Sequence, residues 1–238
     1  KYNDLEMFEP VCSYSAQKAI WNTPVIDDYN EQIIFGSMDG YLYSVDDKCN
    51  LNWKYGTNSS IVGSPILEDG KIYFGTLNRK FYSVDAVNGK LLWEFDDSKG
   101  WFWTAPLINS DIIYAPNLDG SIYALRKNTG QIKWKYETKN PIVSTPVIID
   151  NFLIFVTKNG DLQVIHKDSK RKLGNCNIDK KVYSAIEVYQ DNIFIQVSDG
   201  SVRGYKIKKN GNPDELWRKP FFTRENDDRN DEDWDPSC

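Results

Sequence analysis

The sequence predicts an all-β fold, namely a β-propeller of four-stranded antiparallel blades. The first observation is a repeat whose units each carry one mark, a proline in four units and an isoleucine in the fifth: Pro24, Pro65, Pro106, Pro146 and Ile186. Successive marks lie 41, 41, 40 and 40 residues apart, and such a fixed period is typical of an array of one supersecondary unit. The second observation is that the units divide into four short strand-like runs, which is the composition of a propeller blade.

Residues 60–97 show how one unit is predicted from its residues. Four runs have strand length and are rich in β-branched and aromatic residues: 61–67, 71–76, 80–85 and 90–95. Asp69-Gly70 and Asn88-Gly89 separate two pairs of these runs, and both dipeptides favour hairpin turns because their residues tolerate positive φ. No stretch combines a 3.6-residue apolar period with helix caps, so we expect little helix.

Large apolar residues recur at two further fixed places. One row, at intervals of 39, 40, 41 and 40 residues, contains Phe35, Phe74, Tyr114, Phe155 and Ile195. The other row, at intervals of 40 and 41 residues, contains Trp53, Trp93 and Trp134. The fourth repeat has Gly174 in this place, and the fifth reaches Trp217 after extra residues. Stacked blades bury both faces of each small sheet, so we expect these large residues to form the core between blades.

The repeats divide the chain into three parts. Residues 1–17 are a lead-in, or alternatively the end of an upstream blade. Five propeller repeats are expected at 18–57, 58–98, 99–139, 140–179 and 180–220, which permits a closed five-bladed ring or part of a seven- or eight-bladed one. Residues 221–238 form an acidic tail with seven acids between positions 225 and 235, and we expect it to be disordered because it has too little apolar surface to bury.

One motif resembles a known family. Residues 83–93, with the sequence SVDAVNGKLLW, resemble the tryptophan-docking motif of the PQQ-like, or quinoprotein-type, propeller repeat: a small residue, an Asp, a glycine turn and a final Trp. Residues 124–134 match it with Arg126 in the Asp place. The resemblance covers residues 18–220 and implies structural roles for Trp53, Trp93, Trp134, Trp217, Gly89 and Gly130. The Gly-His and Trp-Asp marks of WD40 repeats do not recur here.

This resemblance implies a choice of functions rather than one function. Proteins with this repeat include PQQ-dependent dehydrogenases, BamB-type lipoproteins that assist outer-membrane protein assembly, and other exported bacterial proteins. By likeness to the BamB-type proteins, we expect a non-catalytic scaffold of the bacterial cell envelope that binds a protein partner in outer-membrane or surface protein assembly. We then expect export to the periplasm, cell envelope or cell surface, and an upstream lipid anchor stays open.

The alternative function is binding of a small molecule, either a quinone or a sugar, or a remnant of a PQQ-dependent oxidoreductase. The enzymes of this family carry a larger, eight-bladed domain, adjacent cysteines near the quinone, and a calcium site with a catalytic Asp. None of the four cysteines of this chain is adjacent to another: Cys12, Cys49, Cys176 and Cys238. We therefore expect no enzyme activity, no cofactor and no metal site.

Charge and hydropathy exclude two other classes. The net charge of −5 argues against a nucleic-acid protein, because that binding depends on neutralising phosphates with Lys and Arg. No apolar run approaches the ~20 residues that a transmembrane helix needs, so we expect no transmembrane segment in this chain.

The cysteines and the single histidine give little sign of chemistry. A terminal disulfide between Cys12 and Cys238 is one arrangement, and Cys176 is interpreted as a small buried hydrophobe. His166 occupies the blade-edge turn position that Asp46 and Asp85 take in other repeats. No nucleophile can be ordered with this histidine as in a hydrolase triad, so no catalytic residue is predicted.

Aromatic residues near the start of the repeats are the candidate binding residues. Three positions before each mark lie Trp21, Val62, Trp103, Val143 and Tyr183, and two positions before it lie small or polar residues: Asn22, Gly63, Thr104, Ser144 and Ser184. Strand alternation places the two rows on opposite sides, so one row is expected to reach the mouth of the central channel.

Aromatic side chains at such a mouth can stack on a ligand or anchor a partner. The binding candidates are Trp21, Trp101, Trp103 and Tyr183. The ring of Trp101 is expected to be exposed, because its siblings in the other repeats are small or polar. The other interpretation is that these rings only pack between blades.

Overall fold

The computed structural model describes residues 11–220 of the chain, with the backbone alone for 218–220. These residues contain strands and no helix. The strands form five separate four-stranded antiparallel sheets, and in each sheet the strands pair in chain order. This is the meander of a propeller blade, as predicted from the period and the turns.

The twenty strands fall into five consecutive groups of four. The first two sheets contain β1 (Val25–Asp27), β2 (Gln32–Gly36), β3 (Tyr41–Asp46), β4 (Leu51–Gly56), β5 (Ile66–Glu68), β6 (Lys71–Gly75), β7 (Phe81–Asp85) and β8 (Leu91–Phe95). The third and fourth contain β9 (Leu107–Asn109), β10 (Ile112–Pro116), β11 (Ser121–Arg126), β12 (Ile132–Glu137), β13 (Val147–Ile149), β14 (Phe152–Val156), β15 (Asp161–His166) and β16 (Lys172–Asn177). The fifth contains β17 (Val182–Tyr189), β18 (Asn192–Val197), β19 (Ser201–Ile207) and β20 (Pro213–Pro220).

The core lies between neighbouring sheets. Along β6, Phe74 packs in the apolar cluster shared with the first sheet, while its neighbour Tyr73 packs in the cluster shared with the third. Two further clusters join the third sheet to the fourth and the fourth to the fifth. No apolar cluster of residues 11–217 joins the fifth sheet to the first.

Tyr114 lies in the core between blades as expected, but it is not the structural equivalent of Phe74. Phe74 pairs with Tyr82 across its sheet, and the residue that pairs with the equivalent Tyr123 is Ala115, not Tyr114. Tyr114 instead belongs to the row of Tyr73 and faces the following blade. The period of the sequence varies by one residue, and both faces of a blade are apolar, so the spacing alone cannot distinguish adjacent residues that point to opposite faces.

Each of the first two blades is docked onto the next one by a tryptophan. The indole Nε1 of Trp53 donates a hydrogen bond to the carbonyl of Ala86 at 3.0 Å, and Nε1 of Trp93 donates to the carbonyl of Lys127 at 3.0 Å. Each indole ring also lies against the glycine of the turn that contains its hydrogen-bond acceptor. A Cβ on Gly89 would come within 2.5 Å of the Trp53 ring, and Gly130 has the same relation to Trp93. Two facts require glycine at position 89: the Trp53 ring leaves no room for a Cβ, and the φ of 67° belongs to the left-handed region.

Docking changes at the third interface. Trp134 is buried, but its Nε1 has no acceptor within the described part of the chain. The hydroxyl of Tyr114 instead donates to the carbonyl of Lys167 at 3.5 Å, which is the group equivalent to those that accept from Trp53 and Trp93. Burial raises the pKa of Tyr114 to about 12, so this hydroxyl stays protonated and remains a donor.

The fourth interface closes without a tryptophan. A Cβ on Gly174 would collide with the carbonyl of Gly211 in the fifth blade, so the two backbones meet directly. The side chain of Leu173 packs against Gly211, in the way that Trp53 packs against Gly89 at the first interface. Trp217, the last of the predicted structural tryptophans, packs on Phe194 of its own blade with ring centroids 5.8 Å apart and is 36% exposed.

The lead-in covers the outer face of the first blade. Residues 11–24 form no strand. A disulfide joins Cys12 to Cys49, which rules out the Cys12–Cys238 arrangement that the sequence left open. Tyr14 packs on Phe35 and Tyr43, with centroids 6.1 and 5.5 Å apart. These two rings belong to the face that later blades turn toward the preceding blade, so the lead-in takes the place of a neighbouring sheet.

Two other sequence expectations concern the cysteines and the tail. Cys176 is buried as expected, but it is also disulfide-bonded rather than a free thiol. The strand pairing pattern offers no sign of this bond, since Cys176 faces Leu162 in an ordinary ladder. The acidic tail at 221–238 lies outside the described residues.

A glycine pair tests the docking. Gly89→Ala and Gly70→Ala both place a side chain at a φ near 68°, but a Cβ on Gly70 meets no atom within 4 Å. We expect Gly70→Ala to lower the free energy of unfolding by about 1 kcal/mol, and Gly89→Ala by about 2 kcal/mol more because it displaces the Trp53 ring. Urea unfolding followed by circular dichroism measures both. Equal losses would show that the ring contributes nothing at this turn.

A second prediction concerns the lead-in. Replacement of Cys12 and Cys49 by serine opens a loop that spans 37 residues, and loop-closure entropy then predicts a loss of about 4 kcal/mol in unfolding free energy. The exposed neighbour Ser13→Ala is the control, with an expected change within about 0.5 kcal/mol. A loss below about 1 kcal/mol in the double serine variant would mean that the lead-in does not stabilise the first blade.

Candidate functional site

One cavity collects the same position from all five repeats. It has a volume of about 380 Å³, and its walls include the residues three positions before each repeat mark: Trp21, Val62, Trp103, Val143 and Tyr183. Each of these residues lies in the irregular segment before or at the first strand of its blade. Five separate blades therefore converge on one space, the mouth of the central channel.

The neighbouring row explains why these side chains point into the channel. Three of the residues two positions before the mark, namely Asn22, Ser144 and Ser184, turn the other way and bond their own blade. Asn22 Nδ2 donates to the carbonyl of Gly36 at 2.9 Å, Ser144 Oγ to Val156 at 3.0 Å, and Ser184 Oγ to Gln196 at 2.9 Å. These bonds hold the segment against the second strand, so that the preceding side chain is left on the channel side.

The floor of the cavity joins blades through small residues. The hydroxyls of Thr104 and Thr145 are 2.8 Å apart across the third and fourth blades, and the backbone N–H of Thr23 donates to Ser64 Oγ at 2.9 Å. A Cβ on Gly63 would lie 2.6 Å from the carbonyl of Thr104. The inner segments are thus in close contact, which makes the cavity a preformed feature of the fold.

Aromatic rings form the upper wall. The rings of Trp21 and Trp103 meet edge to face, with centroids 6.4 Å apart at an interplanar angle of 70°. Trp21 is 60% exposed and Tyr183 is 58% exposed, while Lys158 Nζ lies 5.7 Å from the Tyr183 ring centroid. Large exposed rings at one mouth are the kind of residue that anchors partners at interfaces.

Trp101 does not belong to this group. Its ring is 48% exposed, which is less than that of Trp21 or Tyr183, and it does not line the cavity. Its backbone carbonyl accepts the N–H of Leu118 at 3.0 Å, which fixes it at the connection between the second and third blades. The structure therefore brings three of the four candidates together and leaves the fourth on the neighbouring loop surface.

The walls of the cavity carry hydroxyl and apolar groups and no carboxylate or imidazole. Calcium takes six to eight oxygen ligands, several of them carboxylates, and the described residues contain no cluster of three or more His, Cys, Asp or Glu that could hold a metal ion. These residues do not fit a calcium-bound quinone.

His166 has a local structural role. Its Nδ1 accepts the backbone N–H groups of Asp168 at 3.2 Å and Ser169 at 3.4 Å. In the second blade the carboxylate of Asp85 accepts the N–H groups of Val87 and Asn88 in the same way. The histidine thus replaces an aspartate as the cap of this turn.

Sequence reasoning missed a second cleft, of about 460 Å³, between the first and second blades. Its walls are four amide side chains, a tryptophan and a valine: Asn30, Gln32, Asn52, Asn88, Trp53 and Val87. One signal was visible in the sequence, since the hairpin between β1 and β2 is two residues longer than the one between β5 and β6.

The part of the chain that the structure describes includes no helix of the length and apolar character needed to cross a membrane.

Comparison with protein families gives one match. A family model described as outer membrane protein assembly factor BamB matches residues 20–165, which is more than half of the chain. Among curated proteins, none matches this chain.

Solved structures show the same fold at low sequence identity. BamB from Moraxella catarrhalis has a TM-score of 0.72 and 20% identity, over 87% of this chain and 63% of that chain. The computationally designed protein Ika8 has a TM-score of 0.76 and 16% identity, over 88% and 64% of the two chains. Quinohemoprotein alcohol dehydrogenase from Comamonas testosteroni has a TM-score of 0.70 and 14% identity, over 87% and 43%. The chain thus spans less than two thirds of the length of each of these relatives.

Proposed function

Because the chain belongs to the family described as outer membrane protein assembly factor BamB, we propose that it is a non-catalytic scaffold that holds a protein partner at the mouth of its channel. The observation that carries the proposal is the convergence of Trp21, Trp103 and Tyr183 on one cavity without a charged wall. The partner is proposed to be a protein of the outer-membrane or surface assembly machinery, by analogy with the family.

The chemistry of the cavity indicates how the partner is held. Trp and Tyr supply large contact areas with few rotatable bonds, and interface hot spots are enriched in them. The floor offers only hydroxyls that already bond one another or a neighbouring backbone group. An apolar or aromatic side chain of the partner, packed against the rings of Trp21 and Trp103, therefore suits this site better than a charged one, since the walls of the cavity carry no charge.

The cysteines support an exported location. Cys12 and Cys49 form a disulfide, and Cys176 is disulfide-bonded too. Disulfides persist in oxidising compartments, including the bacterial periplasm and cell surfaces, and are rare in the cytosol. We propose the cell envelope as the location.

The second candidate function is binding of a small neutral molecule such as a quinone or a sugar in the same cavity. The volume of about 380 Å³ favours it, since ligand pockets commonly enclose ~300–1,000 Å³. Titration with a soluble benzoquinone and with simple sugars, followed by NMR through the indole signals of Trp21 and Trp103, separates the two functions. Saturable binding at one molecule per chain would favour the small-molecule site and count against the scaffold.

The scaffold prediction is tested on the partner complex. Chemical crosslinking of the intact protein in its native host, with identification of the partner by mass spectrometry, provides the complex, and its affinity is then measured with purified proteins. We expect Trp21→Ala and Trp103→Ala each to weaken binding by about 30-fold, which corresponds to about 2 kcal/mol for a hot-spot residue. Circular dichroism confirms that each variant is folded.

Two matched controls locate the contact. Leu92→Ala removes a side chain that is 44% exposed on β8, away from the cavity, and should leave the affinity unchanged. Trp101→Ala removes an exposed tryptophan on the neighbouring loop. Full affinity of the folded Trp21 and Trp103 variants, together with a loss in Trp101→Ala, would move the binding site from the channel to the loops.

A further inference from the structure

The four interfaces between blades can be compared at one equivalent place. A residue at the end of the third strand of the later blade, or just after it, faces the last residue of the first strand of the earlier blade. In each later residue the backbone N–H donates to a carbonyl in the hairpin between the first and second strands of its own blade, and these residues are Ala86, Lys127, Lys167 and Ile207. The earlier residues share the closing position of their hairpin: Asp27, Glu68, Asn109 and Ile149.

Lysine bridges two of these interfaces. Between the second and third blades, Lys127 Nζ lies 2.8 Å from Asp69 and 3.6 Å from Glu68, and Lys71 Nζ donates to Asn128 at 3.0 Å. Between the third and fourth blades, Lys167 Nζ donates to Asn109 Oδ1 at 3.2 Å. The fourth interface has no polar group at this place, because Ile149 and Ile207 are both apolar and buried.

The first interface keeps the acid but has no lysine. Asp27 is 5% exposed, and the opposite residue is Ala86. The carboxylate accepts Asn30 Nδ2 at 2.7 Å, Gln32 Nε2 at 2.8 Å and the Asn30 N–H at 3.2 Å. Burial favours a raised pKa for Asp27, but these amide donors outweigh it and hold the pKa below its usual range. A charged carboxylate is therefore buried here with neutral donors alone among the described residues.

The second cleft opens at this interface. Gln32 of the first blade is equivalent in strand register to Lys71 of the second blade, and Asn52 is equivalent to Leu92. Trp53 and Val87 give the cleft an apolar wall, while the Oδ1 atoms of Asn30 and Asn52 accept no donor from the described chain. Asp28 and Glu31 add two exposed acids on the adjacent hairpin, and such a charge attracts a basic partner.

We propose that this cleft binds a lysine side chain of a partner protein. The ammonium donates to the amide oxygens of Asn30 and Asn52. The carboxylate of Asp27 does not line the cleft but is bonded to two of its wall residues, Asn30 and Gln32, so the ammonium balances its charge from the other side of these amides. The aliphatic stem lies along Trp53 and Val87, as lysine stems commonly cover apolar surface. The site is separate from the channel cavity, so it is independent of the channel function proposed above.

The test uses a lysine mimic and its uncharged isostere. Nα-acetyl-lysine methylamide and Nα-acetyl-norleucine methylamide are titrated into the isotope-labelled protein, and the side-chain amide signals of Asn30, Asn52 and Asn88 and the indole signal of Trp53 are followed by NMR. We expect saturable shifts at these groups with the lysine mimic and at least tenfold weaker binding of the norleucine mimic. Equal affinities would overturn the proposal.

Matched variants assign the charge to one residue. Asp27→Asn should weaken the lysine mimic at least tenfold, whereas Asp28→Asn removes an exposed charge that attracts the ligand only at long range and should weaken it by no more than about twofold. Ala86→Lys supplies the ammonium from within the chain, as at the next interface, and should block the cleft. Asn52→Leu, which copies the second blade, tests the amide oxygen if Asp27→Asn does not fold.

Further outcomes decide the class of ligand. Tighter binding of Nα-acetyl-arginine methylamide than of the lysine mimic would overturn the assignment to lysine. Binding of n-butylamine as tight as that of the lysine mimic would assign the cleft to free amines and overturn a protein source. Equal losses in the Asp27 and Asp28 variants would show that only long-range charge is sensed.

Discussion

The stacking of blades that buries their apolar faces is the constraint on which the rest of this structure depends, and at the first two interfaces a tryptophan docked onto a glycine turn fixes it. A single four-stranded sheet leaves two apolar faces exposed, and stacking is what buries them. The indole fixes how two sheets stack, because Trp53 and Trp93 each donate to one carbonyl and lie against one glycine of the following blade. This contact is made by the fourth strand of a blade, which lies at the opposite edge of the sheet from the first strand and the channel segment that precedes it.

That arrangement separates the residues that build the array from those that are free to vary. The outer tryptophans dock neighbouring blades, and the polar side chains of Asn22, Ser144 and Ser184 hold each inner segment against the second strand of its own blade. The channel row contributes no comparable bond, and it accepts Val62 as readily as Trp103 without a change in the fold. Interfaces that close by other means, as where Gly174 meets Gly211, leave the geometry of the channel intact. Recognition is thus carried by positions that the stacking does not constrain.

The sequence allowed the fold to be predicted because its period and its hairpin turns are local signals. Spacing alone predicted four strands in each unit and two alternating rows, one of them reaching the channel, whereas the docking role of Trp93 was implied by the resemblance to the PQQ-like repeat. The Tyr114 register could not, because adjacent residues face two equally apolar neighbours. The pairing of Cys12 with Cys49 depends on how the lead-in lies over the first blade, which no repeat specifies. The cleft at Asp27 was missed because it results from a lysine that one repeat lacks, and that difference becomes visible only when equivalent interfaces are aligned in space.

Site-specific photocrosslinking of the complex tests the central claim, that the channel mouth is the partner-binding surface, most directly. A benzophenone amino acid is placed at Tyr183, which is 58% exposed at the mouth, and at Leu92, which is 44% exposed on β8. The account predicts that the probe at Tyr183 captures the same partner peptide reproducibly and that the probe at Leu92 captures none. Capture at Leu92 with none at Tyr183 would contradict it.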